Sequence, residues 1–195
     1  MAFSKGKRIE DETSRRIVDL AVNIGCKEGV GALTVTRLCR ELNCDRRVIY
    51  NRFRDIDEIN LLVAKRCNEE LIQKAQEQAP QDASYYERFL ARIMTAFTYI
   101  YEKNASFQYY TALYEISQDG VRNELLQDWE RIVEEGKALG AVNAETDSRC
   151  AAETLWIIAT GIGKMLASNT GYAYQDARDT MLYGVRAVFE TMKIR

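Results

Sequence analysis

A single proline, Pro80, is the feature of this 195-residue sequence that most constrains its fold. Proline removes a backbone hydrogen-bond donor and clashes with the preceding turn, so a chain almost without proline is suited to long helices. The apolar residues recur at the three- and four-residue spacing of helices, and no stretch alternates convincingly as a strand does. The sequence therefore predicts an all-α protein of about nine helices.

Glycine, asparagine and proline mark the ends of the predicted helices. Thr34 and Asp45 are placed to cap the second and third helices, and Asp55 with Glu58 resembles a capping box at the start of the fourth. No segment approaches the roughly 20 apolar residues that a membrane-spanning helix needs. The helices are expected at about 11–27, 35–42, 46–53, 55–78, 82–103, 106–118, 121–138, 147–168 and 175–193.

Charge is divided unevenly along the chain, although the formal net charge is only −2. Residues 1–54 hold 12 Lys and Arg against 7 Asp and Glu, a balance of +5. Residues 55–195 hold 15 against 22, a balance of −7. A basic segment of this kind favours an anionic polymer as partner. We therefore predict a basic domain at 1–54 and an acidic domain at 55–195.

The sequence has no histidine and five scattered cysteines, which excludes several kinds of site. Without histidine there is no His-ligated zinc or iron and no Ser-His or Cys-His catalytic couple. An odd number of cysteines without a C-x-x-C pair argues against a disulfide framework and for a reducing compartment. The first residues lack the apolar stretch of a signal peptide. We expect a cytoplasmic protein that is not an enzyme, with no cofactor, metal or membrane partner, whose cysteines are buried as small hydrophobes.

The stretch LCRELNCDRRVIYNRF at 38–53 carries the strongest functional signal. Two short helices joined by a tight Asn-Cys turn, after a longer helix, describe a helix-turn-helix, whose second helix lies in the DNA major groove. Arg46 and Arg47 open that second helix, and a guanidinium there can bind guanine with two hydrogen bonds. Tyr50 and Asn51 follow one turn later, with a hydroxyl suited to phosphate and an amide suited to adenine. An arginine pair can also be plain surface, but the joint pattern favours DNA binding.

The longer stretch RRIVDLAVNIGCKEGVGALTVTRLCRELNCDRRVIYNRF resembles the N-terminal DNA-binding domain of the TetR family of transcriptional repressors. The match covers about 45 residues, and the remainder matches only in length and helical character. Gly25 departs from the family pattern by replacing a core aromatic residue, Asn43 by replacing a turn glycine, and Ile56 by replacing a lysine. The features at the family's spacing are Ala21, Gly29, Thr34, Val35, Leu42, Tyr50 and Phe53.

The resemblance implies DNA-contacting roles for particular residues of this stretch. The residues implied to face bases are Arg46, Arg47 and Asn51. The residues implied to face phosphates are Thr34, Thr36, Arg37, Tyr50 and Arg52. It also implies that the rest of the chain is a larger helical domain that binds a ligand and forms a dimer.

The last two predicted helices are apolar on two sides, so both sides must be covered. The simplest cover is the same pair of helices from a second chain, which together form a four-helix interface. The alternative is burial inside one monomer. The residues predicted to lie in the dimer interface are Leu155, Ile158 and Ile162 in one helix and Met181, Val185 and Val188 in the other.

Aromatic residues concentrate between the basic segment and these two helices. Ligand pockets are apolar and aromatic with a few polar groups, and the TetR resemblance implies an inducer cavity in this region. An ordinary core would show the same spacing. The residues predicted to contact a small apolar or aromatic effector are Phe97, Tyr101, Phe107, Tyr110, Tyr114 and Trp129.

These observations together predict a ligand-responsive, one-component transcriptional repressor that binds a pseudo-palindromic operator in double-stranded DNA as a homodimer. A ligand in the acidic domain would change the angle of the fourth helix and so separate the two recognition helices. The alternative is a helical DNA-binding module that is regulated by a protein partner or acts as an activator, with no small-molecule inducer. A redox sensor based on Cys39 or Cys44 is a further alternative, against which their expected place in the core counts.

Overall fold

The structure is a computed structural model that describes residues 9–77, 80, 82–102, 121–167 and 171–194. Every regular element within these ranges is a helix, which confirms the all-α prediction, and none of these helices is long and apolar enough to cross a membrane. The predicted helix at 106–118 lies outside the described residues. The helices are α1 (Glu12–Glu28), α2 (Val35–Leu42), α3 (Arg46–Tyr50), α4 (Ile56–Glu77), α5 (Tyr85–Glu102), α6 (Val121–Ala138), α7 (Ser148–Ala167) and α8 (Tyr174–Met192), with a 3-10 turn at Val30–Ala32.

Two of the three predicted helix caps are present. The Thr34 hydroxyl accepts the amide three residues on at 3.2 Å, and the Asp55 carboxylate does the same at 2.9 Å. Asp45 makes no side-chain hydrogen bond at the start of α3, contrary to the prediction. α3 is also shorter than predicted and ends at Tyr50, because the amides of residues 52 and 53 both donate to the Ile49 carbonyl and close the chain as a turn.

The first hydrophobic cluster joins α1, α2, α3 and the first half of α4. Ile17, Leu38, Ile49 and Ile59 are buried there, one from each of the four helices. α2 and α3 are too short to be stable alone, so the burial of their apolar faces against α1 and α4 holds them in place.

The second hydrophobic cluster joins the other half of α4 with α5, α6, α7 and α8. Phe89, Ile132, Leu155 and Met181 are buried in it, one from each of the last four helices. These helices form the body of the predicted second domain.

α4 belongs to both clusters. Its residues up to Cys67 pack in the first cluster, whereas Leu71, one turn later, packs in the second. The domain boundary predicted at residue 54 coincides with the end of the helix-turn-helix, but the first half of α4 completes that domain's core. A displacement of α4 in the second cluster therefore acts directly on the first.

Candidate nucleic-acid interface

The turn between α2 and α3 sets the angle of the helix-turn-helix. Asn43 is left-handed there, with φ 48° and ψ 51°. Asparagine accepts this conformation better than most residues, so it can replace the glycine expected from the family pattern. The Cys44 amide donates to the Cys39 carbonyl at 3.0 Å and closes α2. α3 therefore starts in a fixed direction relative to α2.

α3 is held by its inner face and presents its outer face to solvent. Ile49 is buried in the first cluster, and Phe53, just beyond the helix, is buried with it. Arg46, Arg47 and Tyr50 are exposed, Tyr50 by 52%. Because the buried residues fix the helix, the exposed residues project from a rigid support.

Arg46 and Arg47 bring positive charge to this outer face. The Arg46 guanidinium donates to Thr36 Oγ1 at 2.9 Å, a contact that holds it against α2 without neutralising it. Among the described residues, no carboxylate forms an ion pair with either arginine, nor with Arg40 on the exposed side of α2. Arg40 was not among the predicted DNA-contacting residues, although its spacing of three from Arg37 could have marked it.

Arg37 lies inside an ion-pair cluster. It donates two hydrogen bonds of 2.6 Å to the Glu28 carboxylate and one of 2.9 Å to Glu41. These hydrogen bonds lower the pKa of Glu28. The Arg37 guanidinium thus ties α2 to the end of α1, and the phosphate-facing role that the resemblance implies for it stays a prediction.

Arg52 is engaged in the same way at the other end of α1. It donates to Asp11 from Nε at 2.8 Å and from a second nitrogen to the other carboxylate oxygen, and to the Val48 carbonyl at 2.9 Å. The hydrogen bond from Arg52 lowers the pKa of Asp11 from 3.8 to about 2. The Arg52 side chain thus anchors the end of α3 to the start of α1, and the phosphate-facing role implied for it also stays a prediction.

The other residues implied to contact DNA remain on the surface. Thr34 is exposed while its hydroxyl caps α2, and Thr36 is exposed beside Arg46. Asn51 is exposed at the end of α3. Two groups follow among the residues implied to contact DNA. Arg37 and Arg52 are paired with carboxylates of the same chain. The exposed residues without such a pair are Thr34, Thr36, Arg46, Arg47, Tyr50 and Asn51.

The predicted effector-binding aromatics that the structure describes lie in or against the second cluster. Phe97 and Trp129 are buried, and the Trp129 ring meets Trp156 edge to face with ring centroids 6.2 Å apart. Tyr101 stacks on Tyr174 at 3.7 Å between centroids. Their contacts are those of a packed core. The remaining predicted residues lie outside the described ones and are Phe107, Tyr110 and Tyr114.

A cavity of about 190 Å³ lies between α4, α5 and α6. Tyr85 and Phe89 form aromatic walls, and Arg88 and Arg92 bring guanidinium groups to it. Beside it lies Asp128, which is 3% exposed and accepts from Arg92 at 3.1 Å. Two further cavities of about 300 and 370 Å³ lie along α5 and α8 and are also lined by arginine. None of these three cavities is lined by Phe97, Tyr101 or Trp129.

Five of the six residues predicted for the dimer interface are buried inside the protomer, and only Ile158 is half-buried. Both sides of each helix are apolar, so periodicity alone does not say which side faces outwards. The outer side instead carries Ile157, which is 68% exposed, and Tyr183, which is 77% exposed, with Gly161 also exposed. The interface prediction is therefore wrong for five residues, which lie in the core of a single protomer: Leu155, Ile162, Met181, Val185 and Val188.

Comparison with known proteins identifies the fold. No protein-family model matches the chain, and no curated protein sequence matches it. Solved structures do match, among them a regulatory protein of the TetR family from Rhodococcus RHA1, at a TM-score of 0.63 and 16% identity over 95% of this chain and 100% of that chain. A TetR-family transcriptional regulator from Cytophaga hutchinsonii gives a TM-score of 0.68 and 13% identity over 97% and 100%. SmeT, the repressor of the Stenotrophomonas maltophilia multidrug efflux pump SmeDEF, gives 0.71 and 15% identity over 94% and 92%. The chain has the fold of TetR-family transcriptional regulators.

Proposed function

We propose that this chain is a ligand-responsive transcriptional repressor that binds a pseudo-palindromic operator as a homodimer. One observation carries the proposal: α3 is fixed by a buried inner face and turns Arg46 and Arg47 to solvent, without an acidic partner in the described part of the chain. The likeness in fold to TetR-family regulators and to the repressor SmeT supports it.

The recognition surface consists of the outer face of α3 and the start of α2. Arg46 and Arg47 bind guanine edges or phosphates, and Tyr50 and Asn51 contact the next stretch of the groove. Thr34, Thr36 and Arg40 contact the phosphates that α2 crosses. The threonines and Arg40 position the protein, since phosphate contacts carry no sequence information, whereas the base contacts select the operator.

The dimer forms through the outer sides of α7 and α8. Ile157 and Tyr183 are large side chains left more than half exposed there, and exposed apolar residues of this size on neighbouring helices are typical of a protein interface. A two-fold pair presents two copies of α3 to half-sites about 34–36 Å apart. Pairing is needed because one helix-turn-helix contacts too few bases to bind tightly.

The effector binds the second domain and acts through α4. The wall of the cavity between α4, α5 and α6 carries two guanidinium groups, Arg88 and Arg92, against one carboxylate, Glu135, which lies 3.5 and 3.8 Å from them. This excess of positive charge beside aromatic walls suits a small molecule with an apolar or aromatic body and a negatively charged group. Gln76 of α4 forms part of its wall. Ligand binding in the cavity displaces α4, and the helices of the first cluster move with it because they pack on α4. The distance between the two copies of α3 then no longer matches the distance between the half-sites.

DNA binding is tested with the full chain and a duplex selected from a randomised library. Fluorescence anisotropy compares the wild type with Arg46→Ala and Arg47→Ala, and Arg149→Ala serves as control because Arg149 is an exposed arginine on α7. One bidentate base contact contributes about 1–3 kcal/mol, and each substitution removes one contact in each protomer of the dimer, so affinity should fall by about 30-fold or more. Wild-type affinity in both α3 variants would remove α3 from the interface.

Effector binding is tested by thermal shift with aromatic carboxylates and their matched carboxamides. A ligand of the folded state raises its stability by RT ln(1 + [L]/Kd), so the carboxylates should raise the melting temperature and the carboxamides should not. Arg88→Gln should abolish the shift. Equal shifts from both series would contradict the charged subsite, and sequence-specific DNA binding with no shift from any compound would favour regulation by a protein partner.

A further inference from the structure

Two thiols from different helices lie in contact on the first cluster. Cys26 Sγ of α1 and Cys67 Sγ of α4 are 3.4 Å apart, although 41 positions separate them in the sequence. Cys67 is 4% exposed, whereas Cys26 is half-buried and so within reach of a small reagent. The sequence predicts that the cysteines are only buried hydrophobes. This contact instead places two thiols close enough to react with each other.

The pair sits where α4 passes from one cluster to the other. Cys67 is the last α4 residue of the first cluster, and Leu71, one turn later, belongs to the second. The adjacent Arg66 forms an ion pair with Asp19 of α1, so α1 and α4 are already joined by a polar contact on their exposed sides. A covalent link at Cys26 and Cys67 would add a bond at the junction of the two domains.

We propose that Cys26 and Cys67 are an oxidative modification site, a dithiol that a peroxide converts to an intramolecular disulfide and that thereby locks α1 to α4. A disulfide has an S–S distance of about 2.05 Å, so the sulfurs must approach by about 1.4 Å from their present 3.4 Å.

The reaction is balanced by the peroxide. The Cys26 thiolate attacks one peroxide oxygen, the O–O bond breaks, and the products are a Cys26 sulfenic acid and, after protonation, water. The Cys67 thiol then attacks the sulfenyl sulfur, loses its proton and expels the hydroxyl group as a second water. Two thiols are oxidised by two electrons and one peroxide is reduced to two waters. A thiol reductant reverses the modification.

The other cysteines are less suited to this chemistry. Cys39 and Cys44 lie on either side of the turn that ends α2, where the Cys44 amide already donates to the Cys39 carbonyl at 3.0 Å. A bond between them would also join residues that the turn already holds together. Cys150 is exposed at the start of α7 and could react only with another molecule.

The disulfide is tested on the full chain by hydrogen peroxide treatment, alkylation and mass spectrometry of a digest without reductant. The variant Cys39→Ser/Cys44→Ser/Cys150→Ser keeps only the proposed pair. We expect a Cys26–Cys67 linked peptide in the wild type and in this variant, lost on reduction, together with a higher unfolding midpoint after oxidation. Absence of the linked peptide from both proteins, or its replacement by another pairing, overturns the proposal.

The effect on DNA rests on the proposed function and is measured separately. The selected duplex should bind the oxidised protein about fivefold or more weakly than the reduced protein, since drawing α1 and α4 together alters the packing of the first cluster that supports α3. Cys26→Ser and Cys67→Ser should show no response to peroxide. A disulfide that leaves DNA affinity unchanged would overturn the proposed effect on DNA binding. If the reduced protein does not bind DNA, the proposed function is overturned. The linked peptide would in that case still show whether Cys26 and Cys67 form a disulfide.

Discussion

Replacing Arg47 with glutamine should make operator binding less sensitive to salt by a defined amount. Arg47 is exposed on α3, and within the described ranges it has no acidic partner, so its charge is available to a phosphate. The same holds for Arg40 and Arg46, whereas Arg37 and Arg52 are already neutralised by carboxylates of the protomer. On the proposed function, the three arginines without an acidic partner are therefore expected to release DNA counterions, and the two paired arginines are not.

The expected size follows from the number of such charges. Each phosphate neutralised contributes about −0.9 to the slope of log K against log salt concentration. Three arginines in each protomer of a dimer would give a slope of about −5. Arg47→Gln removes one charge from each protomer, so the slope should become shallower by about 1.8. Between 50 and 200 mM salt the wild type should then lose about 12-fold more affinity than the variant.

The assay is fluorescence anisotropy with the selected duplex over a series of salt concentrations. Arg149→Gln is the matched control, because it removes the same charge from an exposed arginine on α7 that pairs with Glu153. The control should keep the wild-type slope. An Arg47→Gln slope equal to that of the wild type would refute the argument that Arg47 neutralises phosphate. The reasoning about paired arginines would fail if Arg47→Gln and Arg37→Gln changed the slope equally.

Other predictions concern stability and assembly. Acid should destabilise the fold between about pH 4 and pH 2, because the pKa of Asp11 is 3.8 unperturbed and about 2 beside its arginine partner, so stability present above the first value is lost towards the second. Thermal melts should show a smaller acid response in Asp11→Asn, and an identical response would contradict this origin. A Cβ at Gly136 would lie 2.5 Å from the Tyr85 hydroxyl, so Gly136→Ala should lower the free energy of unfolding by about 1–3 kcal/mol in urea titrations, whereas Gly31→Ala, with open space around it, should not. Ile157→Lys should convert the dimer to a monomer in analytical ultracentrifugation, and an unchanged mass would exclude the outer side of α7 from the interface.

The sequence predicts where most of the described helices begin and end because capping and turn residues mark those positions. Thr34 and Asp55 cap where their types and positions predict, and Asn43 takes the left-handed turn. Asp45 shows the limit of such reasoning, because a residue type that favours a cap does not guarantee the side-chain rotamer that makes one. The sequence predicts that α3 ends at Phe53, three residues beyond its end at Tyr50, because the closing turn has the same apolar spacing as a helix.

Tertiary partners could not be obtained from one sequence. Arg37 and Arg52 look like the other arginines of their segment, and only the fold brings Glu28 and Asp11 to them. The outward-facing sides of α7 and α8 could not be predicted either. An apolar stripe indicates that a side of a helix is buried, but it does not show whether the same chain or a second chain covers it. The Cys26 contact likewise depends on how α1 crosses α4.

Paired and unpaired arginines of the helix-turn-helix differ in how well the fold tolerates their substitution. Arg37 and Arg52 brace the motif through partners on α1, so substituting either one disturbs the fold as well as the contact. Positions 46 and 47 bear no comparable structural duty and can be exchanged while the scaffold persists. On the proposed function, substitutions at these two positions alter DNA affinity or preference while the fold stays intact, which makes them the targets for directing the protein to a chosen DNA sequence.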